Sequence, residues 1–367
     1  MVLNNLKDIF LKILFPFIIN IMNNIEQIEQ FFNDSRNFTG AVKINESLAS
    51  HTTMHVGGPA KIFLEPADSD SLIFALRYFI ENDIKFFVLG GGSNVIISDD
   101  GLDAVISTRK MNVVKSLTDV SAGPEGVTGG ENLHDSKIIE LDSGASWGSV
   151  ISFCKKNDLG GFESFTGLSG TVGGALFMNA TCFGLSACDN LISVDYLDLN
   201  DMKIRIYEKA ASDWGYKRSP FQPGGGVAGY SPQRGERTTE CERGGRLSPF
   251  IILSAKFTVT NGFDASKSEK CMSDRKEKGH FRSPSAGSAF KNDAANGIIA
   301  GKVIDECGLK GFSVGGAQIA SWHGNFIINP EQKASASDIR ELSDLVKKIV
   351  FEKKGIRLEN EILFVES

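Results

Sequence analysis

Residues 167–184 read GLSGTVGGALFMNATCFG, and five of these eighteen residues are glycine, four of them within positions 167–174. Glycine reaches positive φ at little cost and lets backbone come close to a neighbour. Such a run either makes a tight turn into a buried element or points several N–H groups into one concave space suited to a phosphate or pyrophosphate. Spacing alone leaves these two readings level. No lysine follows as in G-x-x-x-x-G-K-[ST], and the run is no clean G-x-G-x-x-G. Its meaning therefore depends on the rest of the chain.

A second run of the same kind lies upstream. Residues 86–89 (FFVL) form an apolar stretch that ends on Gly90, Gly91, Gly92, Ser93 and Asn94, and an apolar stretch restarts at Val95. This reads as two strands around a second anion cradle, with Ser93 and Asn94 as hydrogen-bonding groups; a glycine hairpin would look the same. Around it the chain alternates strand and helix signals. Residues 60–64 form a strand, and Asp68 to Ser71 offer helix N-caps. Leu72, Ala75, Leu76 and Phe79 then recur at helical spacing.

The 367 residues suffice for two or three domains. A formal net charge of −6 argues against nucleic acid as a partner, since phosphate binding needs a basic face. Six cysteines without a C-x-x-C pair fit reduced thiols of the cytoplasm. His51 and His55 stand four apart with no glutamate between them, so they read as turn or surface residues, and no metal site is expected. The apolar run at 9–22 is shorter than the ~20 residues a bilayer span needs, and Lys12 and Pro16 interrupt it. With no cleavage signal behind it, Met22 is the expected start. Residues 1–21 are then an upstream extension, the alternative being a peripheral membrane anchor; stable membrane insertion is not expected.

Residues 116–136 are polar and glycine-rich, and residues 222–249 are charged and glycine-rich with few apolar side chains. Both read as surface insertions, the second a mobile loop. Tyr216, Lys217, Arg218, Ser219, Pro220 and Phe221 set two cations beside a tyrosine. From these residues alone the bland reading, a solvated turn, is the better one. Residues 283–292 form a small-residue loop able to present a hydroxyl, and Arg275 and Lys278 lie on a polar helical segment before it. Ser335 and Asp338 form a capping box for a helix whose apolar stripe ends at Gly355. The last segment reads as a strand with Arg357, Glu359 and Glu361 on one face.

Taken together these motifs resemble the UDP-N-acetylenolpyruvoylglucosamine reductase family, over residues 45–366. They are VLGGGSN at 88–94, residues 167–174 followed by Met178, Asn179 and Ala180, SAGSAF at 285–290, AGKVIDECG at 300–308, Gly315 to Gln318 with Asn325, and LENE at 358–361. The compact SAGSAF form with His323 and Asn325 is similar to the family's second type, which lacks an extra substrate-covering loop. The resemblance implies an α+β protein: a two-subdomain FAD-binding fold of the vanillyl-alcohol-oxidase kind, then a C-terminal α+β substrate-binding domain. The boundaries expected are an extension at 1–29, subdomains at 30–110 and 111–262, and the substrate domain at 263–367.

The resemblance further implies that NADPH reduces FAD and that a UDP-sugar enolpyruvyl ether then accepts hydride at C3, in peptidoglycan precursor synthesis. Gly90, Gly91, Gly92, Ser93, Asn94, Gly167, Gly170, Thr171, Gly173, Gly174 and Asn179 would hold FAD. Tyr216, Arg275, Lys278, Gln318 and Asn325 would bind substrate. Ser288 would give the proton to C2, and Glu361 with a cation would polarise the carboxylate. Two rivals are another FAD-linked oxidoreductase of this fold and a flavin- or nucleotide-binding protein without turnover. The chain departs from the family pattern where Tyr-Arg-x-Ser-x-Phe is usual. Tyr216, Ser219 and Phe221 fix the register and set Lys217 in the arginine's place, with Arg218 next to it. His55 and Thr181 replace a frequent arginine and a frequent glycine.

Overall fold

The structure, a computed structural model, describes residues 15–119, 136–223 and 248–366. Its first unit is a sheet of β1 (Gly40–Ser47), β2 (Pro59–Pro66), β5 (Leu102–Ser107) and β3 (Phe86–Leu89), in the order β1-β2-β5-β3. β2, β5 and β3 are parallel and β1 runs against β2. Alternate residues of β2 and β5 serve two cores. Ile62, Leu64, Ala104 and Ile106 pack under α1 (Phe15–Asp34) and α2 (Ser69–Glu81), while Phe63 and Val105 pack toward β4 (Val95–Ile97). Strands buried on both faces read as apolar runs, and residues 62–64 and 104–106 are such runs. Asp68 caps α2 as expected, accepting from Ser71 N. The boundary expected at residue 29 falls inside α1, where Ile25, Ile28 and Phe32 pack into this core.

The second unit is an antiparallel sheet in which β6 (Val114–Asp119), β7 (Ser136–Asp142), β8 (Leu191–Asp198), β9 (Lys203–Glu208) and β10 (Phe250–Asn261) run in the order β9-β8-β10-β7-β6. α3 (Trp147–Lys156) and α4 (Val172–Met178) cover it around Trp147, Phe162, Phe165 and Phe257. The expected insertion at 116–136 is shorter than its polar composition suggests, because β6 continues to Asp119 and β7 starts at Ser136. Its middle, and residues 224–247 of the second insertion, lie outside the described residues.

The third unit holds β11 (Ser285–Ser288), α6 (Ala300–Glu306), β12 (Ser313–Val314), β13 (Ala317–Ile319), β14 (Phe326–Ile328) and α7 (Ala336–Lys354). Its sheet runs β11-β14-β13-β12, and the capping box of Ser335 and Asp338 starts α7 as expected. The helix before it, α5 (Ala265–Glu277), is bonded instead to the second unit. Asp264 N reaches Glu163 at 3.0 Å, Ser268 and Thr166 share a 2.8 Å hydroxyl bond, and Arg275 Nε reaches Thr166 O at 2.9 Å. The third unit is thus joined from about Gly279, past the residue 263 expected from sequence.

Of the two readings of His51, turn or surface, the turn holds: it ends the 3-10 turn Leu48–His51 and is 9% exposed, bonded to Glu46 at 2.7 Å and lying against Phe63. One further expectation fails on local grounds. The final strand is only Leu363–Val365 (β15), paired in parallel with β4. The segment before it is not a strand with a charged face. Arg357 lies over Phe351, Glu359 pairs with Lys291, and Glu361 pairs with Lys217. β4 has three residues, so the ladder is too short to impose alternation on residues 357–361.

Candidate active site

A cavity of about 560 Å³ opens where the three units meet, lined by residues 86–95, 168–171, Gly173 and Gly174 together with Lys217, Ser288 and Glu361. This is within the usual size of a cofactor or substrate pocket. Its floor is made by the two glycine-rich runs packed on each other. A Cβ on Gly91 would overlap Cα of Gly170, and one on Gly90 would lie 2.7 Å from Thr171 Oγ1. Gly92 has φ +66°, a left-handed conformation that suits glycine, and its hydrogen atoms face the carbonyl of His51. Most of these glycines serve loop-to-loop contact. Gly174 alone among the floor glycines tested has room for a Cβ: its nearest neighbour, Thr171 Oγ1, is 3.5 Å away. Thr171 caps α4 by accepting from Gly174 N. Two bonds brace the floor: Arg109 Nη2 donates to Gly91 O at 2.7 Å, and Ser93 Oγ donates to Ser169 O at 3.4 Å. Arg109 escaped the sequence reading, because nothing in its neighbours marks it.

The wall is made of side chains. Lys217 sits in a turn closed by two 3.1 Å bonds between Gly215 and Arg218, at φ +53°. Its Nζ lies 2.5 Å from Glu361 Oε1, both side chains being 13% exposed. Arg218 leaves the same turn toward solvent and donates to Ser212 O at 3.3 Å, outside the cavity lining. The turn gives one cation to the cavity and one to water. Glu361 is held by Asn94, whose Nδ2 donates to Glu361 O at 3.0 Å. Asn94 thus ties the last segment to the floor twice, since its own carbonyl also accepts from Leu363 N at 2.9 Å. Ser288 lies at the end of β11, and its hydroxyl has no hydrogen-bond partner among the described residues. Ser285 is tied to the first unit through Thr53 Oγ1, which donates to Ser285 O at 2.7 Å.

Arg275 and Lys278 also line the cavity. Arg275 is 6% exposed and lies 5.3 Å from the Phe183 ring, while Lys278 is exposed and paired with Asp274 at 2.8 Å. Two imidazoles, His280 and His323, line the same cavity. Burial, then the charge of Arg275, pushes His280 down from 6.5 to about 4. Burial likewise lowers His323, whose Nδ1 accepts from Asn325 N at 3.2 Å. Both are neutral at pH 7 and able to hydrogen-bond uncharged groups. Sequence reading noted His323 only through resemblance and passed over His280, which has no flanking signal.

Six residues expected at the site are placed elsewhere. Gly167 (φ +77°) faces Arg275, whose Cδ would lie 2.9 Å from an added Cβ. Asn179 is 3% exposed and bonded to Gly215 and Cys188. Tyr216 is 54% exposed and accepts from Asn292 N at 3.3 Å. Gln318 donates to Gly311 O at 3.2 Å. Asn325 spends both ends of its amide on Phe290, at 2.9 and 2.8 Å, which fixes the loop after Ser288. Arg218, as above, faces solvent. None of the six lines the cavity.

Comparison with known proteins agrees with this architecture. Residues 279–365 match the family model for the UDP-N-acetylenolpyruvoylglucosamine reductase C-terminal domain, and residues 60–205 match an FAD binding domain. The chain is 39% identical over 331 residues to the UDP-N-acetylenolpyruvoylglucosamine reductase of Treponema denticola, covering 89% of this chain and 94% of that protein. It is 33% identical over 354 residues to the protein of that name from Treponema pallidum, covering 87% and 92%. The crystal structure of the reductase from Thermus caldophilus superposes with a TM-score of 0.63 at 26% identity, covering 89% of this chain and 99% of that one.

Proposed function

We propose, from the premise that this chain belongs to the UDP-N-acetylenolpyruvoylglucosamine reductase family, that the cavity works as a flavin site facing a charged proton-donating wall. The protein is an FAD-dependent reductase of UDP-N-acetylenolpyruvoylglucosamine in peptidoglycan precursor synthesis. NADPH as the reductant, a cytoplasmic setting and roles in cell shape and division are our reading. No helix of the described residues is long and apolar enough to cross a membrane.

The residues present fit FAD. The floor is lined by residues 90–94, 168–171, Gly173 and Gly174, and Gly174 has room for a Cβ. Backbone N–H groups can hold a pyrophosphate without cationic side chains. Bound there, FAD supplies hydride equivalents taken from NADPH and given to C3 of the enolpyruvyl ether. The chain's own residues deal with the charge that this leaves. Lys217 Nζ, set at Glu361, meets the substrate carboxylate and stabilises negative charge conjugated with it. Ser288 Oγ gives its proton to C2. A neutral serine is a weak acid, so its hydroxyl must be held close to C2, while Lys217 lowers the cost of forming the charge that the proton then quenches. His280 and His323 present neutral hydrogen-bonding groups to the substrate on the same wall.

The observation that carries this reading is the convergence of Lys217, Ser288 and Glu361, from distant parts of the chain, on the cavity that both glycine runs line. Anaerobic stopped-flow absorbance tests it. NADPH should bleach the bound flavin, and the enolpyruvyl sugar nucleotide should restore its colour within a turnover. A flavin that NADPH bleaches but this substrate does not reoxidise would refute the reading.

A further inference from the structure

The geometry assigns Asn179 as a positioning residue that places Lys217 against Glu361. The inference rests on the reading of Lys217 as the carboxylate-facing cation. Asn179 ends α4 in the left-handed conformation, at φ +41°, and is 3% exposed. Its Nδ2 donates to Gly215 O at 2.8 Å, and its Oδ1 accepts from Cys188 N at 3.3 Å. Gly215 is the first residue of the turn whose two bonds to Arg218 leave Lys217 at φ +53°. The other side of the turn is fastened to the same helix: Ser219 Oγ donates to Phe177 O at 2.7 Å, and Ser219 is fully buried.

α4 is therefore a two-turn strut. Thr171, at its start, belongs to the floor, and its last residues hold both ends of the cation's turn. Asn179 touches no cavity space, so it acts through Lys217 and not on a ligand. The strut explains how a turn in a left-handed, non-glycine conformation stays set with its lysine inward. A misplacement of about 1 Å can cost on the order of 10²-fold in rate.

Two holoenzyme variants test this. Asn179→Asp keeps the size, the left-handed preference and the acceptor for Cys188 N, and loses the donor to Gly215 O. Asn179→Gly keeps the backbone freedom and loses both bonds, so one should fold if the other does not. In both, FAD content and the rate of flavin reduction by NADPH should stay within about twofold of the wild type. Reoxidation by the enolpyruvyl sugar nucleotide should slow by roughly 10- to 100-fold through its maximal rate. Combining either with Lys217→Ala should slow reoxidation no further than Lys217→Ala alone. A crystal structure of Asn179→Asp should show the turn at 215–218 displaced and Lys217 drawn off Glu361. An additive double variant, loss of FAD, equal slowing of both half-reactions, or an undisplaced turn would each overturn the proposal. If Lys217→Ala reoxidises normally, the role given to that cation fails, while a displaced turn in Asn179→Asp would still uphold the positioning role.

Discussion

The floor and the wall of the cavity are built on opposite principles. The floor consists of backbone from two glycine runs that touch where no side chain fits, as at Gly91 against Gly170. The wall consists of Lys217, Ser288 and Glu361, delivered from three places and tethered by other residues: Lys217 by its turn, Ser288 beside a loop fixed by Asn325, Glu361 by Asn94. Adding an atom at Gly91 or Gly92 forces backbone apart. Removing one from the wall leaves its scaffold intact. Cofactor retention and chemistry should therefore break independently.

The largest expected effect is on the floor. Gly91→Ala puts a methyl group into Cα and C of Gly170 and N of Thr171, none of which can move as a side chain would. Overpacking of this kind costs about 1–3 kcal/mol. The variant should purify without flavin colour, melt lower than the wild type and lack turnover. A yellow variant with unchanged melting would mean that the floor can spread. On the wall, Ser288→Ala should keep its flavin and its NADPH rate while reoxidation slows by roughly 10²–10⁴-fold. Ser285→Ala is the control, since the bonds holding Ser285 to Thr53 are made by its backbone. A smaller effect should follow Lys217→Ala, a loss of roughly 10²-fold in reoxidation. Arg218→Ala should stay within about twofold, because its guanidinium already faces Ser212 and water. The reverse order would move the catalytic cation to Arg218.

How much of this could be read from sequence differs by region for the same reason. Floor positions 90–94 and 170–174 were legible because the constraint is local: glycine runs between apolar stretches mean backbone contact wherever the chain goes. The sequence left open what is contacted, and at Gly90, Gly91 and Gly92 the answer is protein. Wall positions were legible only through the family motifs, since no spacing rule connects residues 217, 288 and 361. The choice between Lys217 and Arg218 depended on a turn conformation that neighbouring residues do not announce. Asn179 and Asn325 were assigned to ligands because polar residues in motifs suggest binding. Their partners turned out to be the carbonyls of Gly215 and Phe290, contacts across 36 and 35 residues of chain. The charged alternation at 357–361 failed because a three-residue partner strand imposes no register beyond its own length.

The histidines of the wall add a weaker test that reads stability instead of turnover. His280 titrates near 4 in the folded protein and near 6.5 when free of its surroundings. Burial disfavours its charged form, with Arg275, His323 and Lys278 adding repulsion and Asp274 opposing it. At pH below 6.5 the unfolded chain binds the proton first, so the stability held above pH 6.5 declines as pH falls toward 4. His280→Gln should flatten that part of the melting-temperature profile without changing its value at pH 8 by much. An unchanged slope between pH 6.5 and 4 would show that other groups govern acid sensitivity.

The finest test falls inside the floor and asks what each glycine is for. Gly174 lies in the first turn of α4, exposed to the cavity, and the nearest atom to an added Cβ is Thr171 Oγ1 at 3.5 Å, an ordinary contact. Nothing in the protein therefore requires glycine there, and alanine is favoured over glycine within a helix by about 1 kcal/mol. If Gly174 is glycine because bound FAD lies against it, Gly174→Ala has two separable effects. The apoprotein should melt no lower than wild-type apoprotein, while FAD should bind several-fold more weakly by fluorescence titration. Gly91→Ala, in contrast, should lower the melting temperature of the apoprotein itself. A Gly174→Ala apoprotein that melts lower would place it with the loop-packing glycines. Unchanged FAD affinity would place the cofactor's phosphates elsewhere along the floor, nearer residues 90–94.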